Sequence, residues 1–512
     1  MPTPRLSWSR CRGKAQCASV RLPLNYDRPA GPTTEVGLLR LPARSPQRRI
    51  GSLFINPGGP GVSAVEFVRN ARSQLSPRLL RRFDVVGFDP RGVGASENLQ
   101  CFSSPREQYP FARAIASSPF PDAKKQEQRF IKAYRTLHRA CGTAGRRLAG
   151  AMSTAQVARD MDVLRRAVGD ERLTYYGLSY GSYLGQVYAN MFPDRVRAVG
   201  IDGVIDPRAW AGSRFTGSPI GDRIRSADGA WAALQEMLQR CGSAGEALCP
   251  FASADPVGDF ARIAEQLRIS KVRLEVLPGQ KVRYGYTDLV QDTLLGMYQS
   301  DGSESIAKML SDLRVLTTAP RSTRAADRGA ARRVAHVSER LRSGAPSYLN
   351  LLDVTAAVTC TDGRRPARLS QSPGFADDAD ARAPYFGRSW AWNWTCSDSS
   401  WNVEDEDAYR GPFDRRTSAP VLIVGNYWDP ATNYDSAVRV SELLPNSRLL
   451  RSDSWGHTAL GSSRCVDRAV DDYLVRVRLP RRQTVCQGDV QPFASASAAR
   501  RELTVARGWS GR

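Results

Sequence analysis

The sequence has little lysine, very little histidine and no long apolar run. Only seven of its 73 basic residues are lysine, and its three histidines are His138, His336 and His457. No two cysteines stand at C-x-x-C spacing, so the ligand pattern of a zinc site is absent. The longest apolar runs, such as residues 420–424, have the length of a strand, whereas a membrane-spanning helix needs about 20 apolar residues. We therefore expect no metal, no organic cofactor and no transmembrane segment.

The chain is strongly basic, with a formal net charge of +22 from 73 Lys+Arg against 51 Asp+Glu. The arginines are scattered from end to end, form no single basic helix and accompany no nucleic-acid-binding motif. We expect no specific nucleic-acid partner, only a loose attraction to anionic surfaces. At 512 residues and 41% hydrophobic content, the chain fits a globular protein with a large core and an insertion or second domain.

Ten cysteines, an even number, predict a disulfide framework. The simplest pairing joins sequential neighbours, although sequence alone does not fix the connectivity: Cys11–Cys17, Cys101–Cys141, Cys241–Cys249, Cys360–Cys396 and Cys465–Cys486. Five disulfides would indicate a secreted or cell-envelope protein. Residues 1–11 contain no apolar segment of the kind found in signal peptides. We expect that a leader is missing from this chain, and a cytoplasmic location is the alternative.

Strand-like and helix-like segments alternate along much of the chain. Residues 18–44 indicate an antiparallel hairpin, residues 51–56 and 83–88 buried strands, and residues 153–168 an amphipathic helix. This alternation predicts an α/β fold with a mostly parallel central sheet and helices on both faces. The rhythm stops between about 205 and 415, where helical patterns such as residues 326–341 dominate. It resumes with a strand pattern at 419–425 and helix patterns at 434–443 and 464–476. We predict a core in two parts, a mainly helical cap inserted between them and a disordered tail: 1–204, 416–490, 205–415 and 491–512 respectively.

Residues 173–185 contain a short strand pattern, the turn Gly177-Leu-Ser-Tyr-Gly181 and a helix pattern. This is the context of a nucleophile elbow, a turn so sharp that the residues two before and two after the serine must be small. Ser179 is therefore the candidate nucleophile. The backbone N–H of Tyr180, at the start of the following helix, is one predicted donor of the oxyanion hole.

A serine hydroxyl needs a base within hydrogen-bond reach. His138 and His336 lie in arginine-rich helical patterns and are predicted to be surface residues, whereas His457 follows a predicted strand near the end of the chain. His457 is therefore the predicted base. Asp429, which follows the preceding strand, is the predicted carboxylate that orients the imidazole, and Asp202 is the alternative.

The second oxyanion donor is expected in Asn56-Pro-Gly-Gly-Pro-Gly61. Proline has no N–H, so the possible donors are Gly58, Gly59 and Gly61. We predict Gly59. Arg91, in a second loop rich in glycine, is predicted to form a structural ion pair rather than to take part in catalysis.

Taken together, the motifs resemble those of the secreted tripeptidyl aminopeptidases of actinobacteria, relatives of the proline iminopeptidases within the α/β-hydrolases. The matching segments span roughly residues 7–488 and include Asn56–Gly61, Gly87–Ser96, Tyr176–Gly185, Asp202–Pro207 and the Trp428-Asp-Pro and Gly-His457 motifs. The resemblance implies the α/β-hydrolase fold, removal of short peptides from a free N-terminus, and a triad of Ser179, Asp429 and His457.

An enzyme that acts at a free N-terminus must hold an ammonium group. The run Glu404-Asp-Glu-Asp407 is the one dense acidic segment, and Glu404 and Asp405 are the predicted ligands, with a solvated turn as the alternative. Peptides with a free N-terminus are the expected substrates. An esterase or lipase with the same triad, and a binding protein on the same scaffold, are the alternative functions. The oligomeric state stays open.

Overall fold

The computed structural model describes residues 2–213, 217–277, 280–318, 334 and 348–494. Its strands are β1 Ser9–Arg12, β2 Ala15–Pro23, β3 Thr33–Leu41, β4 Gly51–Asn56, β5 Phe83–Phe88, β6 Leu173–Leu178, β7 Val196–Asp202, β8 Val272–Leu277, β9 Gln280–Tyr284, β10 Val421–Trp428, β11 Ser447–Trp455 and β12 Val485–Gln487. Ten of them form one sheet in the order β1-β2-β3-β5-β4-β6-β7-β10-β11-β12, and β8 and β9 form a separate hairpin.

The central sheet is mostly parallel, as predicted. Strands β1, β2, β3 and β5 pair antiparallel, whereas every pair from β5 through β4, β6, β7, β10 and β11 to β12 is parallel. Parallel strands bring their carboxyl ends to one edge of the sheet. Ser179, Asp429 and His457 all follow the carboxyl ends of such strands, namely β6, β10 and β11.

The helices within the described residues are α1 Ala64–Arg69, α2 Ala71–Gln74, α3 Pro77–Arg82, α4 Pro105–Ala116, α5 Lys124–Cys141, α6 Arg146–Ala149, α7 Thr154–Ala167, α8 Tyr180–Met191, α9 Pro207–Ala211, α10 Ile220–Arg223, α11 Ser226–Ala244, α12 Pro256–Ile269, α13 Tyr286–Met297, α14 Ser303–Thr318, α15 Asn350–Asp362, α16 Ser372–Arg382, α17 Phe386–Ala391, α18 Tyr434–Leu443 and α19 Arg464–Arg476. The predicted helix at 153–168 thus corresponds to α7. The predicted helix at 326–341 lies outside the described residues, except for Val334.

Both faces of the sheet are covered by helices. Phe54 and Val86 belong to one hydrophobic cluster with residues of α7 and α8, whereas Leu53 and Val85 belong to another cluster with residues of α1, α3 and α19. Successive side chains of a strand point to opposite faces, so strands buried on both faces are mainly apolar. That pattern is what made β4 and β5 recognisable in the sequence.

The region between β7 and β10 contains α9 to α17 and the β8–β9 hairpin. Its helices α11 to α14 share a hydrophobic cluster of their own, which includes Leu234, Ile263, Leu289 and Leu310. The same cluster also contains Trp455 at the end of β11, so the inserted helices pack directly on the carboxyl edge of the sheet. The division of the chain into a core in two parts and a cap stays a prediction.

All ten cysteines form disulfides between sequential neighbours: Cys11–Cys17, Cys101–Cys141, Cys241–Cys249, Cys360–Cys396 and Cys465–Cys486. Each bridge closes a loop of 40 residues or fewer, so each ties together segments that are already close in the chain. The simplest pairing is the one present.

The C-terminal end of the described chain contacts β11. Residues 491–494, assigned to a disordered tail, include Gln491, whose amide nitrogen donates to the Asp453 carbonyl oxygen at 3.0 Å. This side-chain contact, which composition does not reveal, anchors the segment; residues 495–512 lie outside the described part of the chain. No helix among the described residues has the length and apolar character required to cross a membrane.

Arg91 forms a structural ion pair, as expected. Its guanidinium is buried and binds the Asp160 carboxylate at 2.6 and 2.8 Å. It also donates to the carbonyl oxygens of Pro23, Leu24 and Ala151 at 2.9 to 3.0 Å. Arg91 therefore joins the β5 loop to α7 and to the segment after β2.

Candidate active site

Ser179 lies on a strained turn between β6 and α8. Its backbone has φ 57° and ψ −124°, a conformation that residues with a side chain rarely adopt. A β-carbon added at Gly177 would lie 2.2 Å from the Gly181 carbonyl oxygen, and one added at Gly181 would lie 2.5 Å from the Asn56 carbonyl oxygen. Both glycines are therefore required sterically, and the turn holds Ser179 at the carboxyl edge of the sheet.

The loop after β4 lies against this turn. A β-carbon at Gly58 would lie 2.8 Å from the Ser179 β-carbon and 3.1 Å from the Tyr180 nitrogen. The Gly58 N–H donates to Asn56 Oδ1 at 2.9 Å and is therefore occupied. The structure describes no protein acceptor for the N–H of Gly59 or of Tyr180, the two donors predicted for the oxyanion hole. Their role stays a prediction, but Gly58 is a poorer candidate than the sequence alone suggested.

Helix α15 covers the outer side of this loop. The Thr355 hydroxyl donates to the Pro60 carbonyl oxygen at 3.1 Å. A β-carbon at Gly61 would lie 2.8 Å from Leu351 Cδ1 and 3.0 Å from Val354 Cγ1. The loop is thus packed between the nucleophile turn and α15, which restricts the movement of its N–H groups.

Asp429 and His457, the predicted acid and base, form a hydrogen-bonded pair. His457 Nδ1 lies 2.9 and 3.0 Å from the two carboxylate oxygens of Asp429. The buried carboxylate also accepts hydrogen bonds from the backbone N–H groups of Ala431, Thr432 and Thr458 and from the Thr432 hydroxyl, at 2.8 to 3.0 Å. Five donors converge on one carboxylate, as expected for a group that remains ionised inside a protein.

The two groups shift each other's pKa. Burial disfavours the ionised carboxylate, but His457 and the backbone donors outweigh burial and hold the pKa of Asp429 below its ordinary value. Burial also disfavours the imidazolium, yet the charge of Asp429 and its hydrogen bond raise the pKa of His457 above its ordinary value. Such a pair stabilises the imidazolium that forms when a base takes a proton.

Asp202, the alternative acid, has a different set of contacts. Its carboxylate accepts hydrogen bonds from the backbone N–H groups of Ala459 and Leu460 at 2.9 to 3.1 Å and from the Tyr176 hydroxyl at 3.2 Å. Burial raises the pKa of Asp202 to about 6. Asp202 therefore anchors the loop that carries His457, while the imidazole N–H faces Asp429.

The segment formed by Asp202 and Gly203 lies next to both Ser179 and His457. The Ser179 N–H donates to the Asp202 carbonyl oxygen at 2.9 Å. A β-carbon at Gly203 would lie 3.2 Å from His457 Cε1. The backbone from Asp202 to Gly203 is thus a shared neighbour of Ser179 and His457. The Ser179 hydroxyl has no hydrogen-bond partner among the described residues, so its bond to His457 stays a prediction; such bonds often tighten only when substrate is bound.

Tyr298, just after α13, is a neighbour of His457 that the sequence did not reveal. Its carbonyl oxygen accepts a hydrogen bond from the backbone N–H of His457 at 3.0 Å. The Tyr298 and His457 rings also pack edge to face, with their centres 5.1 Å apart. It stands in the inserted helical region, far from His457 in the chain, and no local motif marks it. The inserted region therefore supplies part of the wall around the base.

The predicted ammonium ligands are placed differently from each other. Asp405 is buried, and its carboxylate accepts hydrogen bonds from the Ser153 N–H at 3.2 Å and from the Gln156 amide at 3.3 Å, both at the start of α7. These contacts explain Asp405 as a cap of that helix and leave it poorly suited to bind a substrate. Glu404 is exposed, and its role as a ligand stays a prediction.

The prediction that His138 is a surface residue is wrong. His138 is fully buried in α5, its Nδ1 lies 2.7 Å from Ser400 Oγ, and its ring packs against Trp401. Burial lowers the pKa of His138 to about 3. Among the described residues it is also the one histidine grouped with potential metal ligands, but these are the sulfurs of Cys360 and Cys396, which are joined in a disulfide. His336 lies outside the described residues.

The sheet and this site define the class of protein: it is a hydrolase of the α/β type. The family model described as the alpha/beta hydrolase fold matches residues 51–215, and the model described as TAP-like protein matches residues 383–486. The two matched segments include the turn around Ser179 and the Asp429–His457 pair respectively.

Three relatives illustrate the similarity. The serine protease Hip1 of Mycobacterium tuberculosis is 30% identical, over 93% of this chain and 90% of its own length. The tripeptidyl aminopeptidase of Streptomyces lividans is 28% identical over 93% and 84%. The carboxylesterase B of Mycobacterium tuberculosis is 30% identical over 93% and 89%. This chain therefore belongs to the α/β-hydrolase family with a TAP-like C-terminal region, which confirms the resemblance found in its motifs.

Proposed function

We propose that this protein is a serine peptidase that releases short peptides from the free N-terminus of its substrates. The observation that carries the proposal is the bond of His457 Nδ1 to buried Asp429, beside the strained turn of Ser179. The pair occupies Nδ1 and leaves the other ring nitrogen, Nε2, for the serine proton. Relatives named serine protease and tripeptidyl aminopeptidase support peptides as the substrate class.

In the proposed reaction, Ser179 Oγ attacks the scissile carbonyl carbon while His457 takes the hydroxyl proton. The carbonyl oxygen becomes an oxyanion that accepts hydrogen bonds from the N–H groups of Tyr180 and Gly59, each worth about 3 kcal/mol of barrier. His457 then donates its proton to the departing amine, which leaves an acyl-enzyme. Water, deprotonated by His457, attacks the acyl carbon, and Ser179 regains its proton.

We further propose that the inserted region, residues 205–415, limits access to chain ends. Tyr298 contacts His457 from that region, so its helices lie close to the site of the chemistry. An insertion beside the site admits a terminal peptide and excludes an internal segment. Glu404 remains the proposed ligand of the substrate ammonium group.

Esterase activity is the second candidate, favoured by the relative named carboxylesterase B. The triad chemistry is the same for an ester, whose better leaving group needs less help from His457 as an acid. Selectivity between amide and ester therefore depends on how the rest of the substrate is held.

We also propose that the protein works in an oxidising compartment outside the cytoplasm. Five disulfides support this location, because reducing cytosol keeps thiols free.

A panel of three substrates tests the proposed activity. It contains a tripeptide anilide with a free amine, the same compound N-acetylated, and a short p-nitrophenyl ester, each assayed with wild type and Ser179→Ala. We expect kcat/KM to be highest for the free-amine peptide and lost in the variant. Equal rates for the acetylated peptide would contradict action at a free N-terminus, and turnover of the ester alone would favour the esterase. Absence of fluorophosphonate labelling at Ser179 would reject the triad altogether.

A further inference from the structure

Two tryptophans stand immediately before the predicted acid and base. Trp428 precedes Asp429 directly, and Trp455 precedes His457 by two residues. Their rings are stacked, with centres 5.3 Å apart and an angle of 18° between the planes. Asp429 and His457 are 28 residues apart in the chain and lie in two different loops. The stacked rings thus join these two loops at the strand ends from which they start.

A β-bulge places the two rings on the same side of the sheet. The register pairs Asn426 with Ser452 and then Trp428 with Trp455, so β11 has one more residue than β10 in this interval. Because side chains alternate along a strand, the extra residue brings the Trp455 ring to the face of the Trp428 ring. The buried side chain of Asn426 holds the bulge.

The side-chain amide of Asn426 forms two hydrogen bonds across the bulge. Its Nδ2 donates to the carbonyl oxygen of Gly456 at 2.8 Å, and its Oδ1 accepts the N–H of Ser454 at 3.2 Å. Gly456, the residue before His457, is therefore linked to β10 at Asn426, which lies two residues before Trp428.

Arg240, from α11 of the inserted region, lies beside both tryptophan rings. Its guanidinium carbon lies 5.2 Å from the centre of the Trp455 ring and 5.9 Å from that of Trp428. Gln491 Oε1 accepts hydrogen bonds from Arg240 Nη1 at 2.7 Å and from Trp455 Nε1 at 3.2 Å. The Trp428 indole N–H donates to Asp453 Oδ1 at 2.8 Å. Both indole N–H groups are therefore satisfied, and the cation is held over the rings.

We propose that Trp428, Trp455 and Arg240 form a clamp that positions Asp429 against His457. The inference rests on the proposed function, since it assigns the clamp to the geometry of the proposed triad. None of the three residues acts on the substrate; they are positioning residues. Through Arg240, α11 of the inserted region and the segment around Gln491 contribute to the order of the acid–base pair.

The clamp differs from ordinary core packing in what its loss does to His457. The titratable groups that face His457 among the described residues are Asp429, Asp202 and Tyr298. Asp429 is the one in direct hydrogen-bond contact, and it raises the pKa of His457. A wider Asp429–His457 separation therefore lowers that pKa, whereas a simple loss of folded protein leaves it unchanged.

Arg240→Met tests the clamp, because methionine keeps an apolar stem and removes the cation. Active sites are counted by fluorophosphonate titration, and kcat, KM and the pH dependence of kcat/KM are measured per titrated site. We expect kcat to fall about tenfold with KM unchanged, as for a small misplacement of catalytic groups. We also expect the acidic limb of the pH profile to move to lower pH, and Arg240→Lys to restore part of both effects.

The matched control is Arg262→Met, on the neighbouring helix α12, where the arginine is exposed and pairs with Asp259. It should behave as wild type. Unchanged kcat and pH profile in Arg240→Met would overturn the clamp, as would a loss explained fully by fewer titrated sites. If Arg240→Met yields no titratable protein, Trp455→Phe decides the question by the same criteria. Failure of wild type to be labelled would instead reject the triad.

Discussion

The turn that carries Ser179 and the loop that carries His457 each fix the position of one side chain, but they do so by different contacts. Ser179 is held mainly by backbone sterics: Gly177 leaves no room for a β-carbon against Gly181, and Gly181 leaves none against Asn56. His457 is held by distant partners: Asp429, Asp202 and Tyr298. The comparison teaches that the conformation of Ser179 depends on small residues within its own turn, whereas the position of His457 depends on residues collected from three separate parts of the chain.

Removal of the nucleophile itself should produce the largest effect. Ser179→Ala leaves the turn intact, and kcat should fall by about 10⁴- to 10⁶-fold because only the oxyanion donors and substrate binding remain. Initial rates on the free-amine anilide, with circular dichroism to show an unchanged fold, measure it. Residual activity within a factor of ten of wild type would place the nucleophile elsewhere.

The roles of Asp429 and Asp202 can be separated by a pair of isosteric substitutions. Asp429→Asn should lower kcat by about 10⁴-fold, because the amide no longer stabilises the imidazolium or fixes its tautomer. Asp202→Asn keeps an acceptor for the loop N–H groups and should cost much less, about tenfold or below. Steady-state kinetics of both variants decide between them, and a reversed order would make Asp202 the acid.

The steric basis of the turn can be tested by a substitution that changes no polar side chain. In Gly177→Ala the new β-carbon would meet the Gly181 carbonyl oxygen at 2.2 Å, so we expect a loss of about 3 kcal/mol or more of unfolding free energy. Gly374→Ala, in α16, is the matched control because nothing lies within 4 Å of its β-carbon. Urea unfolding should show the first variant destabilised and the second equal to wild type or slightly more stable.

The pH profile reports on the base side alone. His457 must be neutral to accept the Ser179 proton, so kcat/KM should rise as the pH passes its pKa. Asp429 raises that pKa, and the rise should therefore be centred above about 6.5, the ordinary value for histidine. In Asp429→Asn the limb should shift to lower pH while the plateau falls. A limb that stays in place would mean that another group controls it.

The smallest effect separates Asp405 from Glu404, the two acidic residues that the sequence predicted for substrate binding. Asp405→Asn should lower the unfolding free energy by about 2 kcal/mol, because the carboxylate caps α7, and should leave KM for free-amine peptides unchanged. Glu404→Gln should leave stability unchanged and raise KM if Glu404 holds the ammonium group. An unchanged KM in Glu404→Gln would remove that residue from the site.

The elements around the site were largely predictable because their signals are local. Strands β4 and β5 have the predicted bounds, since a strand buried on both faces is mainly apolar and a proline follows each of these two within two residues. Helices α18 and α19 also agree to the residue with the predicted segments 434–443 and 464–476. The burial of His138 was not predictable, because its arginine-rich helix resembles a surface helix until Trp401 covers it.

The linear sequence by itself identified the side chains that can carry the chemistry: one serine on a glycine-bounded turn, one histidine after a late strand and two candidate aspartates. It also predicted a disulfide framework from ten cysteines, without fixing their connectivity. These follow from short-range sterics, alternation and spacing, which any stretch of chain carries within itself. Only the tertiary structure decided that Asp429 rather than Asp202 faces the imidazole, that Asp405 caps a helix, and that Tyr298, Arg240 and Gln491 surround the base side. Those contacts join residues separated by tens to hundreds of positions, and their partners are chosen by the way the sheet and the inserted helices pack.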